Sequence, residues 1–169
     1  VSIAALFITL KVRYAIALDT IAGGAGTGDA KTIAKSLAGG VALAVLAVLV
    51  DSYVTDRAAL LAGVPSEYAA VYLMVMVLSQ AMVTPLWEES LVRMLFYSWL
   101  RRYLGFYAAL AISAVVFALM HGWGPKILYS LVLGFVLGYT YEKTRSLMAA
   151  YAVHASYNLV VLLLSYFEV

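Results

Sequence analysis

Apolar residues run in long blocks along this chain, and most polar positions fall in the gaps between the blocks. At the N-terminal end Ile3, Phe7, Leu10, Tyr14 and Leu18 recur at helical spacing, interrupted by Lys11 and Arg13. That pattern predicts an interfacial amphipathic helix or a shortened first span. The stretch Gly23 to Asp29, GGAGTGD, reads as a flexible linker; it lacks the Gly-Lys-Ser/Thr ending of a phosphate-binding loop. Five hydrophobic segments follow, near Ile33 to Val54, Tyr68 to Leu100, Phe106 to His121, Lys126 to Tyr141 and Leu147 to Phe167. The second would be about 50 Å long as a continuous helix, against a hydrocarbon layer of about 30 Å. It must tilt, kink or project, and Pro85 is the expected kink, since it removes a backbone donor and crowds the preceding turn. Gly134 and Gly138 form a GxxxG pair that predicts close helix packing.

Composition agrees with the pattern. Of 169 residues 65% are hydrophobic and 12% charged, and the mean hydropathy is +0.97. A soluble domain carries about twice that share of charge. The fold class expected is all-α: a polytopic transmembrane helical bundle of five to six segments with a polar cavity inside the membrane. Residues 1–32 form the N-terminal segment and linker, and residues 33–169 the membrane domain, with its chemical core over 68–167. The absence of cysteine excludes a disulfide framework, a thiolate nucleophile and a cysteine metal cluster. The net charge of +2 is spread without a basic, aromatic-laced stripe, so no nucleic-acid partner is expected. No basic region precedes the first apolar run, so no cleavable signal peptide is expected, and Val at position 1 suits a fragment, a processed form or an unusual start.

Orientation follows from the basic residues. Lys11, Arg13, Lys31, Lys35, Arg101, Arg102, Lys143 and Arg145 fall on one side of the bundle, and Arg57 and Lys126 on the other. Eight against two predicts the N-terminal region and the Arg101/Arg102 and Lys143/Arg145 loops in the cytoplasm, and the C-terminus outside.

Against this apolar background the polar residues inside the segments stand out: Glu88, Glu89 and Arg93 in the second, His121 at the end of the third, His154 and Asn158 in the fifth. An ionised group at a helix centre costs roughly 2.5–3.5 kcal/mol on insertion scales, so such groups must meet one another. Glu89 and Arg93 are four apart and share a face, as do His154 and Asn158, and Phe117 and His121. At about 1.5 Å per residue, Glu88 lies about 18 Å in from Leu100 and His121 about 22 Å in from Phe106. His154 and Asn158 lie about 10 and about 16 Å in from Leu147. The depths overlap, so three helices can aim polar groups into one cavity. Blander readings exist piece by piece. Paired glutamates beside Trp87 can mark a helix end at the interface, a lone histidine can be a local hydrogen bonder, and an HxxxN pair can simply link two helices.

Together, EESLVR (Glu88 to Arg93), FALMH (Phe117 to His121) and HASYN (His154 to Asn158) match EExxxR, FxxxH and HxxxN in order. The chain thereby resembles the CPBP family, the CAAX proteases and bacteriocin-processing enzymes also called the Abi family, over roughly Tyr68 to Phe167. Where many members read FRG, this chain reads Val92-Arg93-Met94, a departure that bears on helix packing or the substrate groove. The resemblance implies intramembrane hydrolysis of a peptide bond in a peptide or protein substrate, possible anchoring of that substrate in the membrane included, and a prokaryotic plasma-membrane location. In the eukaryotic branch of the family the last three residues of prenylated CAAX proteins are removed. The residue types suit the chemistry: Glu88 as general base, His121 holding and polarising the water, Arg93 keeping Glu89 ionised, His154 and Asn158 donating to the oxyanion. Glu88, His121 and His154 are also plausible zinc ligands, but HExxH is absent and asparagine suits an oxyanion hole better than a metal. The expectation is therefore that no metal is required, with zinc as the alternative. The rival function is a non-catalytic scaffold or bacteriocin-immunity protein; a transporter half is disfavoured by the lack of an internal repeat.

Overall fold

The computed structural model describes residues 28–50, 61, 63–122, 124 and 126–167. The expected amphipathic segment over 1–22, most of the Gly23–Asp29 linker and the loop around Asp51, Asp56 and Arg57 lie outside them. Every described element is helical. Helix α1 runs Ala30–Val50. It starts earlier than the hydrophobic block suggested, because the Asp29 carboxylate accepts the Thr32 N–H at 2.6 Å and caps the first turn.

A long rod, Ser66–Tyr103, follows. It is one continuous course of helix whose register changes twice. After a 3-10 turn come α2 (Ala69–Met76), a π-helical stretch Val77–Val83, α3 (Thr84–Glu89), a second π stretch Ser90–Tyr97, and α4 (Ser98–Tyr103). Pro85 sits buried at the start of α3. The break expected there takes the form of a changed hydrogen-bond register. Hydroxyls support both changes: Ser79 Oγ bonds the Val75 carbonyl at 2.7 Å, Ser90 Oγ the Leu86 carbonyl at 2.7 Å, and Ser98 Oγ the Arg93 carbonyl at 3.0 Å. Such back-bonding perturbs a helix ladder locally. Helices α5 (Phe106–Met120), α6 (Lys126–Thr144) and α7 (Leu147–Phe167) complete the bundle.

Helices thus occupy all five predicted segments, but only three of them are long and apolar enough to cross a membrane among the described residues: Ala30–Leu49, Ser66–Tyr103 and Leu147–Phe167. Helix α5 is apolar but has 15 residues, about 22 Å against the roughly 30 Å required. Helix α6 ends in charge, at Glu142 and Lys143. The protein is a polytopic integral membrane bundle in which α5 and α6 lean on each other. A Cβ at Gly134 would come within 3.1 Å of the Ala114 backbone, so this glycine lets α6 lie close on α5, as the GxxxG spacing predicted.

Helix α1 packs chiefly on α7. Its contact point is Gly40, where a Cβ would run into the Val153 carbonyl and the Ser156 hydroxyl, whereas Gly39 faces open space. One apolar core gathers Ala44, Val92, Phe117, Leu137 and Val153 at the level of the polar residues of the rod. A second, around Tyr97, Leu110, Tyr141 and Ala150, lies nearer the Arg101 end. That end is closed by Glu142, which accepts Tyr97 Oη at 2.8 Å, Arg101 Nη2 at 3.1 Å and Arg145 Nη2 at 3.2 Å. Burial alone would push the Glu142 carboxyl up, but the hydrogen bonds from Arg101 and Tyr97 and the charge of Arg145 hold it below the usual range.

Two outcomes follow. Gly40→Ala loses about 1–3 kcal/mol to overpacking, while Gly39→Ala is neutral or slightly stabilising, as thermal unfolding in detergent will show. Because folding lowers the Glu142 pKa, its stabilisation is complete above the unfolded value of about 4.3 and fades as pH falls through the folded one. Unfolding temperatures of the parent and Glu142→Gln should therefore differ near neutrality and converge on acidification.

Candidate active site

Helices α3, α5 and α7 and the second π stretch of the rod bring five ionisable side chains into one cluster. Glu89, at the end of α3, and Arg93, one turn on, have no exposed side-chain surface, and Glu89 Oε2 lies 3.1 Å from Arg93 Nε. The pair is close enough for strong attraction, yet neither atom has an aligned hydrogen-bond partner, so the contact is mainly Coulombic. Arg93 is held from two further sides: Nη2 donates to the Gly134 carbonyl of α6 at 3.2 Å, and its guanidinium carbon sits 4.5 Å from the Phe117 ring centroid.

The other Glu89 oxygen, Oε1, lies 3.0 Å from His154 Nδ1 on α7. A carboxylate paired with arginine can only accept, so His154 Nδ1 carries the donated hydrogen. Its Nε2 then points the other way, 3.6 Å from Glu88 Oε2. His121 is oriented similarly. It caps α5, and its Nδ1 lies 2.9 Å from the Phe117 carbonyl, which can only accept. Its Nε2 faces Glu88 Oε2 at 3.8 Å. Phe117 packs between the two imidazoles, with ring centroids 4.5 Å from His121 and 5.4 Å from His154.

The two neighbouring glutamates are thus sorted by environment. Glu89 is enclosed and committed to Arg93 and His154. Glu88 keeps 15% exposure and meets only imidazole edges, and His121 beside it is 31% exposed, against 1% for His154. The cluster opens on the His121 side and closes on the His154 side. Glu88 Oε2 and His154 Nε2 are both buried without a hydrogen-bond partner, and unsatisfied polar atoms facing each other in a partly open recess are where a reacting water or a cation is stabilised. Glu88, His121 and His154 each offer an atom within 4.8 Å of the others. Zinc fits this set: both imidazoles turn Nε2 inward while Nδ1 is held by a carbonyl or a carboxylate, the usual outer support of metal-bound histidine.

Asn158 is placed differently. Its Nδ2 donates at 2.9 Å to the Gln80 carbonyl, in the first π stretch, rather than to a member of the cluster. Of the sequence candidates, then, Glu88, Glu89, Arg93, His121 and His154 come together, and Asn158 meets the same rod further back. Sequence reasoning did not identify the Gly134 carbonyl, the platform role of Phe117 or the Gln80 carbonyl as partners. The FxxxH spacing was the only signal for any of them.

Removing one partner of a buried ion pair leaves the other uncompensated. Arg93→Met should therefore lose about 3–5 kcal/mol, and the double change Glu89→Gln with Arg93→Met less than the sum of the two single losses, measured by denaturant titration in detergent.

The stretch 70–160 matches a family model described as Rce1-like, type II CAAX prenyl endopeptidase Rce1-like. No curated protein and no solved structure matches the chain.

Proposed function

The chain belongs to the Rce1-like family of CPBP intramembrane proteases, and from that premise we propose that it is an intramembrane endopeptidase. The observation that carries the reading is Glu88: a carboxylate left without a committed partner, flanked by two imidazoles, in a recess with one open side.

A water entering from the His121 side is held between Glu88 Oε2 and the inward-facing Nε2 of His121. Glu88 takes its proton as oxygen attacks the substrate carbonyl carbon, and later returns that proton to the leaving nitrogen. One water is consumed, and an acid and an amine are released. His154 lies opposite, where with both ring nitrogens protonated it donates Nδ1–H to Glu89 and Nε2–H to the developing oxyanion. Asn158 retains one Nδ2 hydrogen beyond its bond to Gln80 and is the second donor in this reading. Glu89 and Arg93 hold His154 in place.

We propose that no metal is required. Two partners of a shared water stand roughly 4.5 Å apart, and two ligands of a tetrahedral zinc roughly 3.4 Å. The Glu88–imidazole separations of 3.6 and 3.8 Å lie nearer the zinc value, so the metal-free reading rests on the absence of HExxH and on the fit of Asn158 to an oxyanion rather than to a metal. If zinc were bound, Glu88, His121 and His154 would hold it, and it would supply Lewis acidity and a more acidic water. The substrate is proposed to be a peptide or protein, membrane-anchored as the family description suggests, reached from the cytoplasmic side or laterally from lipid.

Glu88→Gln in purified, reconstituted protein should lower peptide cleavage by at least about 10²–10⁴-fold with the unfolding temperature unchanged. Retained cleavage, or a cellular phenotype indifferent to the change, would favour the non-catalytic scaffold. Metal analysis of active protein and chelator treatment decide the zinc question: activity without stoichiometric metal supports the metal-free form, and loss restored by zinc overturns it.

A further inference from the structure

We infer that Asn158 is a positioning residue, whose side-chain amide supplies the hydrogen bond that Pro85 removes from the rod and thereby fixes the segment carrying Glu88 and Glu89.

The argument begins in the first π stretch, Val77–Val83: its first N–H, that of Val77, still bonds the Leu73 carbonyl four residues back, and the register then lengthens to five. At its end Thr84 N–H bonds the Ser79 carbonyl. The next donor in that register would be residue 85, and its acceptor Gln80. Residue 85 is proline and has no N–H. The Gln80 carbonyl is therefore the acceptor orphaned by Pro85, and it is the carbonyl to which Asn158 Nδ2 donates, at 2.9 Å, from a helix 78 residues further along the chain. The bond lies at an exposed position of the bundle, and on a rod long and apolar enough to cross a membrane an unmet carbonyl is costly.

The placement has consequences for the site. Immediately after the change of register comes α3, Thr84–Glu89, which ends in the two glutamates. Its angular setting relative to α2 is decided by how the π stretch ends, because each added residue per turn rotates everything beyond it. Asn158 lies one helical turn beyond His154 on α7. One face of α7 thus grips the rod at two points: His154 at Glu89 and Asn158 at Gln80. With both grips made, α3 is fixed between them and Glu88 is aimed at the two Nε2 atoms. With the Asn158 grip lost, the rod can return to an α register, which rotates Glu88 away. This role is additional to oxyanion donation and occupies the other Nδ2 hydrogen.

The inference predicts a specific coupling. Pro85→Ala restores an N–H that can bond the Gln80 carbonyl. In the parent, Asn158→Ala and the isosteric Asn158→Asp, which lacks the donor, should lower kcat about 10- to 100-fold with KM little changed. In the Pro85→Ala background the same changes should cost at least about 3-fold less than in the parent, the remainder being the lost oxyanion donor. An equal loss in both backgrounds would mean Asn158 acts on the oxyanion alone, and overturns the inference. The unfolding temperature in detergent gives the same cycle without any assay of cleavage: Asn158→Ala should lower it in the parent and not with Pro85→Ala. That arm stands even if the chain cleaves nothing, so failure of the proteolytic reading and failure of this one are distinguishable. Should Pro85→Ala not fold, NMR of the Asn158 side-chain amide in substrate-free protein decides: one slowly exchanging Nδ2 proton is expected, and two freely exchanging protons refute the bond.

Discussion

The Glu89–Arg93 pair is the contact on which the site depends. Two charges with no exposed side-chain surface, in a chain that is otherwise apolar, are tolerable only if each is met from several directions. Arg93 is met by Glu89, by the Gly134 carbonyl and by the Phe117 ring; Glu89 is met by Arg93 and His154. Those partners lie on α5, α6 and α7. Satisfying one ion pair therefore fixes three other helices around the rod, and places the Phe117 and His154 rings against each other. The requirement to neutralise a buried pair is what organises the helices.

Adjacent residues on a helix point about 100° apart, so Glu88 and Glu89 cannot share an environment. Glu89 faces the ion pair. Glu88 is left facing two imidazole edges, each turned inward because its other nitrogen is occupied: by Glu89 for His154 and by the Phe117 carbonyl for His121. The supporting contacts thus fix which atoms face the recess. A single glutamate could not both anchor the network and remain free to move a proton.

Much of this was legible in the residue types. Ionisable side chains are so costly in apolar helices that Glu88, Glu89, Arg93, His121 and His154 had to find each other, and spacing of four put Glu89 with Arg93. Pro85 announced a fault in the rod. What could not be read were partners contributed by the backbone. The Gly134, Phe117 and Gln80 carbonyls carry no residue-type signature, and which of them accepts a bond depends on how helices dock. Asn158 illustrates the limit: its four-residue spacing from His154 placed it on the correct face of α7, but its partner exists only because a proline elsewhere leaves a carbonyl bare. Gly40 is similar, since only the docked structure distinguishes it from Gly39. The segments were legible as helices, but how many cross the membrane was not: hydropathy marks a block as apolar, whereas the length of α5 is set by where the chain turns at His121.

Helix α1 lies outside the stretch that matches the family model, yet its Gly40 rests against the Val153 carbonyl, one residue before His154. The open recess needs such support. Glu88 Oε2 and His154 Nε2 take no hydrogen bond from another described residue, so the bundle forgoes the stability that such bonds would add. A helix pressed tightly onto the back of α7 offsets that loss away from the recess, in contacts that do not compete for the reacting atoms. Stability on the closed side and unsatisfied polarity on the open side are two aspects of the same arrangement. Filling the recess with fixed hydrogen bonds would make the bundle more stable, and would remove the free carboxylate on which hydrolysis depends.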